Sequence, residues 1–166
     1  KVTEPNPSLR LEESPFYPEG GGQVSDSGSI RWDGGRTPVA DVYRVGDDQV
    51  IRLDGDAPDP GTRVEAEVEH ATRHATMRNH TATHLLHAAL RQVLGGHVKQ
   101  AGSLVAPDRL RFDFAHFSAM SRDEVRQVER LVNEHVLANI PLTTDVMATD
   151  AAIAGGAMAL FGEKYG

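Results

Sequence analysis

The hydrophobic period of the chain changes near residue 68, and that change sets the order of its parts. Before it, apolar and polar residues alternate in short runs broken by glycine, proline and aspartate, the pattern of strands joined by tight turns. Leu9-Arg10-Leu11 leads into Ser14-Pro15-Phe16-Tyr17-Pro18-Glu19, where two prolines forbid a regular helix. Gly20-Gly21-Gly22 is a permissive loop. Ile30–Trp32, Val39–Val45, Val50–Leu53 and Arg63–Val68 read as further strands. Turns fall at Asp33-Gly34-Gly35 and Gly46-Asp47-Asp48, and a longer loop spans Asp54 to Gly61. Strands at this spacing predict a small meander or barrel.

After residue 70 the period becomes helical. His70–Met77 is a weakly patterned helix, and Asn79 offers an N-cap for a second helix that ends at Gly95-Gly96. On that helix Leu86, Ala89, Leu90 and Val93 form one apolar stripe. His80, His84, His87 and Arg91 lie on the other side, turned away from the packing face. Val98–Val105 and Leu110–Phe114 read as paired strands, with Phe112 and Phe114 on one face. Ser121 with Glu124 is a capping box for a helix to about Asn139, striped by Val125, Val128, Val132 and Val136. Leu142–Met147 is expected as a strand and Asp150–Ala154 as a short helix. The whole is therefore expected to be an α+β chain. Residues 1–68 form a β-rich, barrel-like subdomain with a glycine-rich loop, and residues 69–166 form a two-layer α/β subdomain carrying the His-x-x-x-His helix.

Composition narrows the function classes. With 39% hydrophobic and 25% charged residues, the 166-residue chain resembles a soluble globular protein, and no apolar run is long enough to span a membrane. Cysteine is absent, which excludes disulfides and any thiolate metal ligand from within the chain. The formal net charge of −7 is the wrong sign for a self-sufficient nucleic-acid binder. Basic residues do gather in the middle third, at Arg73, Arg78, Arg91, Lys99, Arg109 and Arg111. An RNA partner would thus draw most of its binding energy from something attached to this chain.

The chemistry concentrates in Asn79-His80-Thr81-Ala82-Thr83-His84-Leu85-Leu86-His87. Histidines four apart stand one above the other on a helix, so His80 and His84 can reach one divalent metal. A metalloprotease would carry a glutamate beside the first histidine, where this chain has Thr81. That excludes a zincin-type peptidase. His70 and His74 repeat the spacing without a supporting helix face and read as a solvated pair. His87 reads as a hydrogen-bonded or surface residue rather than a third ligand. Two ligands make only half of a zinc site, since structural sites take four and catalytic sites typically three plus water.

Four stretches, taken together and in order, carry a family resemblance. Ser14 to Gln23, with Asp26 and Gly28, resembles the glycine-rich segment of the alanyl-tRNA synthetase editing domain. His80–Leu90 is similar to that family's zinc-ligand helix, and Gln100–Val105 with Leu110–Phe114 to its paired strands. Ala157–Tyr165 resembles the run before its second ligand pair. The α/β part is shared with the editing region of threonyl-tRNA synthetases. The resemblance implies hydrolysis of the ester in mischarged Ser-tRNA(Ala) and Gly-tRNA(Ala). It implies zinc on His80 and His84, Thr83 and Gln100 lining the aminoacyl pocket, and a substrate- or tRNA-binding loop at Gly20, Gly21, Gly22 and Gln23. The implied partners are the acceptor end of tRNA(Ala) and the other domains of a cytoplasmic synthetase, whose ATP-binding lies elsewhere; no membrane is involved. The alternatives are a non-catalytic acceptor-end binding module, a free-standing trans-editing protein, and a threonyl-type editing module.

The chain departs from the family at one point. The family completes its zinc site with a Cys-x-x-x-His pair beyond the Phe161-Gly162-Glu163-Lys164-Tyr165 run, and this chain has neither. With no initiating methionine, it is expected to be part of a longer protein, cut before the second ligand pair, with zinc binding weak or absent on its own.

Overall fold

The computed structural model describes residues 6–157. Five antiparallel strands come first: β1 (Ser8–Leu9), β2 (Gly28–Trp32), β3 (Gly35–Val45), β4 (Asp48–Leu53) and β5 (Glu65–Val68). They form one sheet in the order β1-β4-β3-β2-β5. Among the described residues the sheet is open, with β1 and β5 as its edges, so of the expected small meander or barrel it takes the open form, with β2, β3 and β4 as consecutive neighbours. Two-residue turns at Asp33-Gly34 and Gly46-Asp47 link β2 to β3 and β3 to β4.

Burial along β3 reveals an irregularity that alternation alone does not. Thr37 and Val39 face the core, and then Val42 does, so the inward parity switches from odd to even. A register shift between Val39 and Asp41 supplies the extra residue. The switch lets β3 keep apolar side chains inward along a strand of 11 residues. Phe16, Ile30, Val39, Val42, Ile51, Leu53 and Val68 form this first core.

A single helix, α1 (His70–Leu94), follows. Asn79 is not an N-cap but lies inside it. Residues 70–94 contain neither proline nor glycine, so nothing interrupts the hydrogen-bond ladder there. The cap is Glu69, whose carboxylate accepts from the Ala71 amide at 3.1 Å. The Asn79 carboxamide instead donates to the carbonyls of Ala106 at 2.7 Å and Pro107 at 3.3 Å. It thereby holds the turn of the next hairpin, β6 (Gln100–Val105) with β7 (Leu110–Phe114). Lys99 and Val98 stay outside β6, which is shorter than its apolar run suggests.

Helix α2 (Arg122–Ala138) opens on the expected Ser121–Glu124 capping box and closes at Asn139 in the left-handed region. Its packing face is narrower than the valine stripe. Val128 is buried, with Leu131 and Val132 beside it, whereas Val125 and Val136 are about half exposed. Val128 joins Ala89, Leu90 and Val98 in a second core, lined by Leu86, Val93, Phe112 and Phe114. Residues 142–147 form no strand, and Leu142 and Val146 stand in solvent. A short helix, α3 (Thr149–Ala154), comes last. All but the first residue of the Ala157–Tyr165 stretch lies outside the described residues.

The two cores are joined by the segment from Ser14 to Asp26. Phe16 plugs into the first core, and Gln49 of β4 donates to Ser14 Oγ at 2.6 Å and to the Phe16 carbonyl at 2.9 Å. Asp26 accepts from the Tyr17 amide at 2.6 Å and, almost fully buried, pairs with Arg73 of α1. The Arg73 guanidinium also donates to the Pro15 carbonyl at 2.7 Å. Its pKa is raised, chiefly by the hydrogen bond to Asp26.

Removing one partner of a buried charged pair strands the other and leaves its hydrogen bonds unmade. Asp26→Ala is therefore expected to cost about 2–3 kcal/mol, the low end because Arg73 is partly solvated. Urea denaturation checks this; a loss below about 1 kcal/mol would show that the pair does not tie the two cores together.

Candidate metal and aminoacyl site

The glycine-rich loop folds back on itself as a tight hairpin. Gly20 and Gln23 exchange backbone hydrogen bonds at 3.1 and 2.9 Å, and Gly21 and Gly22 between them both have positive φ, 59° and 82°. That combination is the one type I′ geometry requires. The hairpin docks on β6: Val105 donates to the Gly22 carbonyl at 2.8 Å, and Val24 donates to the Val105 carbonyl at 3.0 Å. Gly22 lies so close to Ser103 that a Cβ there would press into it, 2.8 Å from its carbonyl oxygen. Gly21 has open space around it.

Docked this way, the hairpin presents Gln23 to α1. Gln23 is 8% exposed, and its Oε1 lies 2.6 Å from Nδ1 of His80. His84, one turn on, stacks its ring on that of His80, with centroids 5.2 Å apart and planes 20° apart. Burial is the main reason the His80 pKa falls below its ordinary value, and the neighbouring His84 adds to it. His80 is thus held neutral, the form that binds metal.

Thr83, three residues after His80 and next to His84 on α1, is buried, and its hydroxyl donates to the Asn79 carbonyl at 2.8 Å. With the proton spent on its own helix, the Oγ1 lone pairs are left to accept. Gln100 is exposed at the start of β6, beside a register shift, and its Nε2 donates to Ser103 Oγ at 3.0 Å. A continuous path therefore runs from His80 through Gln23 and Gly22 to Ser103 and Gln100. Gln100 joins the cluster only through Ser103.

His87 departs from the sequence reading. It is buried, 5.0 Å from Phe112 between ring centroids, with Nε2 no closer than 3.5 Å to the Val98 carbonyl. Three residues before Leu90, it borders the apolar stripe rather than opposing it. His87 is a core residue. His70 and His74 are exposed, as a solvated pair should be.

Among the described residues, no group of three or more His, Cys, Asp or Glu side chains is arranged to enclose a metal ion. His80 and His84 fit half of a tetrahedral zinc site: two adjacent imidazoles, one neutral and hydrogen-bonded at Nδ1. The sequence reading missed the part played by Arg73 and the side-chain contact of Gln23. Their partners, Asp26 and His80, lie 47 and 57 residues away, and no local pattern signals such pairings.

No family model matches the chain. Curated relatives do. It is 52% identical over 158 residues to an alanine–tRNA ligase of Halorhodospira halophila, covering 94% of the chain and 18% of the relative. Identity is 54% over 159 residues to that of Methylococcus capsulatus, with the same coverage. The Thermotoga maritima enzyme matches at 48% over the full chain and 20% of its own length. This chain is related to one segment of alanine–tRNA ligase. It spans about a fifth of the length of these relatives. Alanine–tRNA ligase is another name for alanyl-tRNA synthetase, so the resemblance is borne out at the level of the enzyme. No helix among the described residues is long and apolar enough to cross a membrane.

Two outcomes follow from the geometry. Gly21→Ala should cost only the strain of a left-handed alanine, about 1 kcal/mol. Gly22→Ala should cost at least about 1 kcal/mol more, because it also lifts the hairpin off β6. Paired urea melts decide this; equal losses would mean that the Ser103 contact yields freely. His80 should titrate below 6.5 in metal-free protein, readable from its ring signals by NMR. The unfolded chain then holds this proton at higher pH than the folded chain does. Its stabilising contribution is therefore full above about 6.5 and falls as pH drops below that value. A midpoint at or above 6.5 contradicts the assigned burial.

Proposed function

We propose that this chain is the editing part of an alanine–tRNA ligase, hydrolysing the ester that joins serine or glycine to tRNA(Ala). The observation that carries this reading is the meeting of the His80/His84 pair, the Gly20–Gln23 hairpin and Thr83 at one place. The relation to alanine–tRNA ligase supports it independently. A synthesis pocket built for alanine rejects glycine and serine by only a few kcal/mol, so a second, hydrolytic site is the physical remedy.

In this reading His80 and His84 contribute two ligands to zinc, and the other two come from outside the described residues. Zinc, when bound, supplies positive charge that polarises the ester and its attacking water. The chain's own residues select and orient. Thr83 Oγ1, its proton engaged by the Asn79 carbonyl, accepts a hydrogen bond from the serine hydroxyl that alanine lacks. Gln100, braced on Ser103, borders the pocket and disfavours alanyl ester. The hairpin at Gly20, Gly21, Gly22 and Gln23 brings backbone close to the acceptor end, where side chains would obstruct it. An ester is labile enough that orientation and electrostatics suffice without a glutamate base.

The test is deacylation of Ser-tRNA(Ala) by this chain lengthened through a Cys-x-x-x-His pair and loaded with zinc. Release of serine is expected. Thr83→Val should narrow the preference for seryl over alanyl ester about tenfold or more, the worth of one hydrogen bond. Gln100→His should shift the same ratio. Serine left on a tRNA that is nonetheless bound would favour a non-catalytic acceptor-end module, and faster release from Ser-tRNA(Thr) a threonyl-type role.

A further inference from the structure

Gln23 is the least exposed polar side chain of the glycine-rich hairpin, and its one side-chain hydrogen bond among the described residues is to His80. At 2.6 Å the amide oxygen Oε1 meets Nδ1, and an amide oxygen only accepts. The proton at this contact therefore sits on Nδ1, and the lone pair of the neutral ring on Nε2. Free histidine favours the opposite tautomer, so the contact selects against the intrinsic preference of the ring. Little freedom remains on either side of it. The Gln23 backbone is bonded to Gly20 in both directions, and its neighbours Gly22 and Val24 are bonded to Val105. Two helical turns before His80, Asp26 grips Arg73 on the same face of α1, fixing the hairpin against the helix at a second point.

We propose that Gln23 is the positioning residue of the metal-ligand pair, holding His80 in the Nδ1–H tautomer with Nε2 free to bind the ion. This rests on the reading of His80 and His84 as zinc ligands. It gives the glycine-rich loop a second purpose: with no side chain at Gly22, the hairpin can lie flat on β6 and bring the Gln23 amide to the helix. Metal-bound histidines commonly donate their other N–H to a fixed acceptor, and loss of that acceptor weakens metal binding by about 10- to 100-fold.

The tautomer experiment uses the 166-residue chain, and the zinc experiment the same chain lengthened through a Cys-x-x-x-His pair. In metal-free protein above neutral pH, long-range proton–nitrogen NMR reads the tautomer of His80 directly. Wild type is expected to carry the proton on Nδ1, and Gln23→Met to lose that preference. Affinity for zinc ion alone, measured by competition with a coloured chelator, should fall about 10- to 100-fold in Gln23→Met. Gln23→Glu, which keeps an acceptor, should restore it. An Nε2–H tautomer in wild type overturns the proposal without any variant having to fold. So does zinc affinity that Gln23→Met leaves within about threefold of wild type, or a glutamate variant as weak as the methionine one. Zinc that leaves the His80 signals unmoved would instead defeat the metal-site reading, while the metal-free spectra still decide whether Gln23 sets the tautomer.

Discussion

The grip of the glycine-rich segment on α1 holds the two halves of this protein in register. The protein has two cores, one within the five-stranded sheet and one between α1, α2 and the β6–β7 hairpin. Between them runs a segment anchored at one end by Phe16 and at the other by the buried Asp26–Arg73 pair. Such a pair adds little net stability when formed, because two charges leave water. It is costly to break, because one charge is then stranded. That asymmetry suits a joint whose role is to fix one arrangement. With Arg73 held, His80 lies two turns along the same face, and Gln23, three residues before Asp26, meets it.

Every feature of the candidate site follows from that placement. The hairpin can approach β6 only because Gly22 has no side chain to strike Ser103. Its approach partly buries His80, and burial favours the neutral imidazole that metal binding needs. Thr83 spends its proton inside the helix and so becomes an acceptor. None of these side chains is unusual by itself. Their chemistry comes from which hydrogen bonds the fold has already committed.

Much of the local structure was legible because local rules govern it. Ser121 and Glu124 announce the start of α2, Asn139 its end, and the alternation of Leu110–Phe114 its strand. The failures have identifiable causes. Asn79 looks like a cap because asparagine often caps, but here its amide serves the Ala106 and Pro107 carbonyls across the fold. His87 borders an apolar stripe and is drawn into the core by Phe112, which sequence spacing cannot place. Val125 and Val136 share the helical period of Val128 but are left about half exposed by the described residues. Residues 142–147 read as a strand yet meet no partner strand among the described residues.

By itself the sequence determined the order of elements, the pairing of His80 with His84, and the absence of a peptidase glutamate. These depend only on spacing and residue type. It also carried the relation to alanine–tRNA ligase, in motifs spread along the chain. Only the tertiary structure decided which face of α1 meets the glycine hairpin, that Asp26 holds Arg73, and that Gln23 rather than any helical neighbour touches His80. Those contacts join residues 47 and 57 positions apart, and they exist because the two cores sit together in one arrangement. A periodic pattern specifies a face; it takes packing to specify what the face meets.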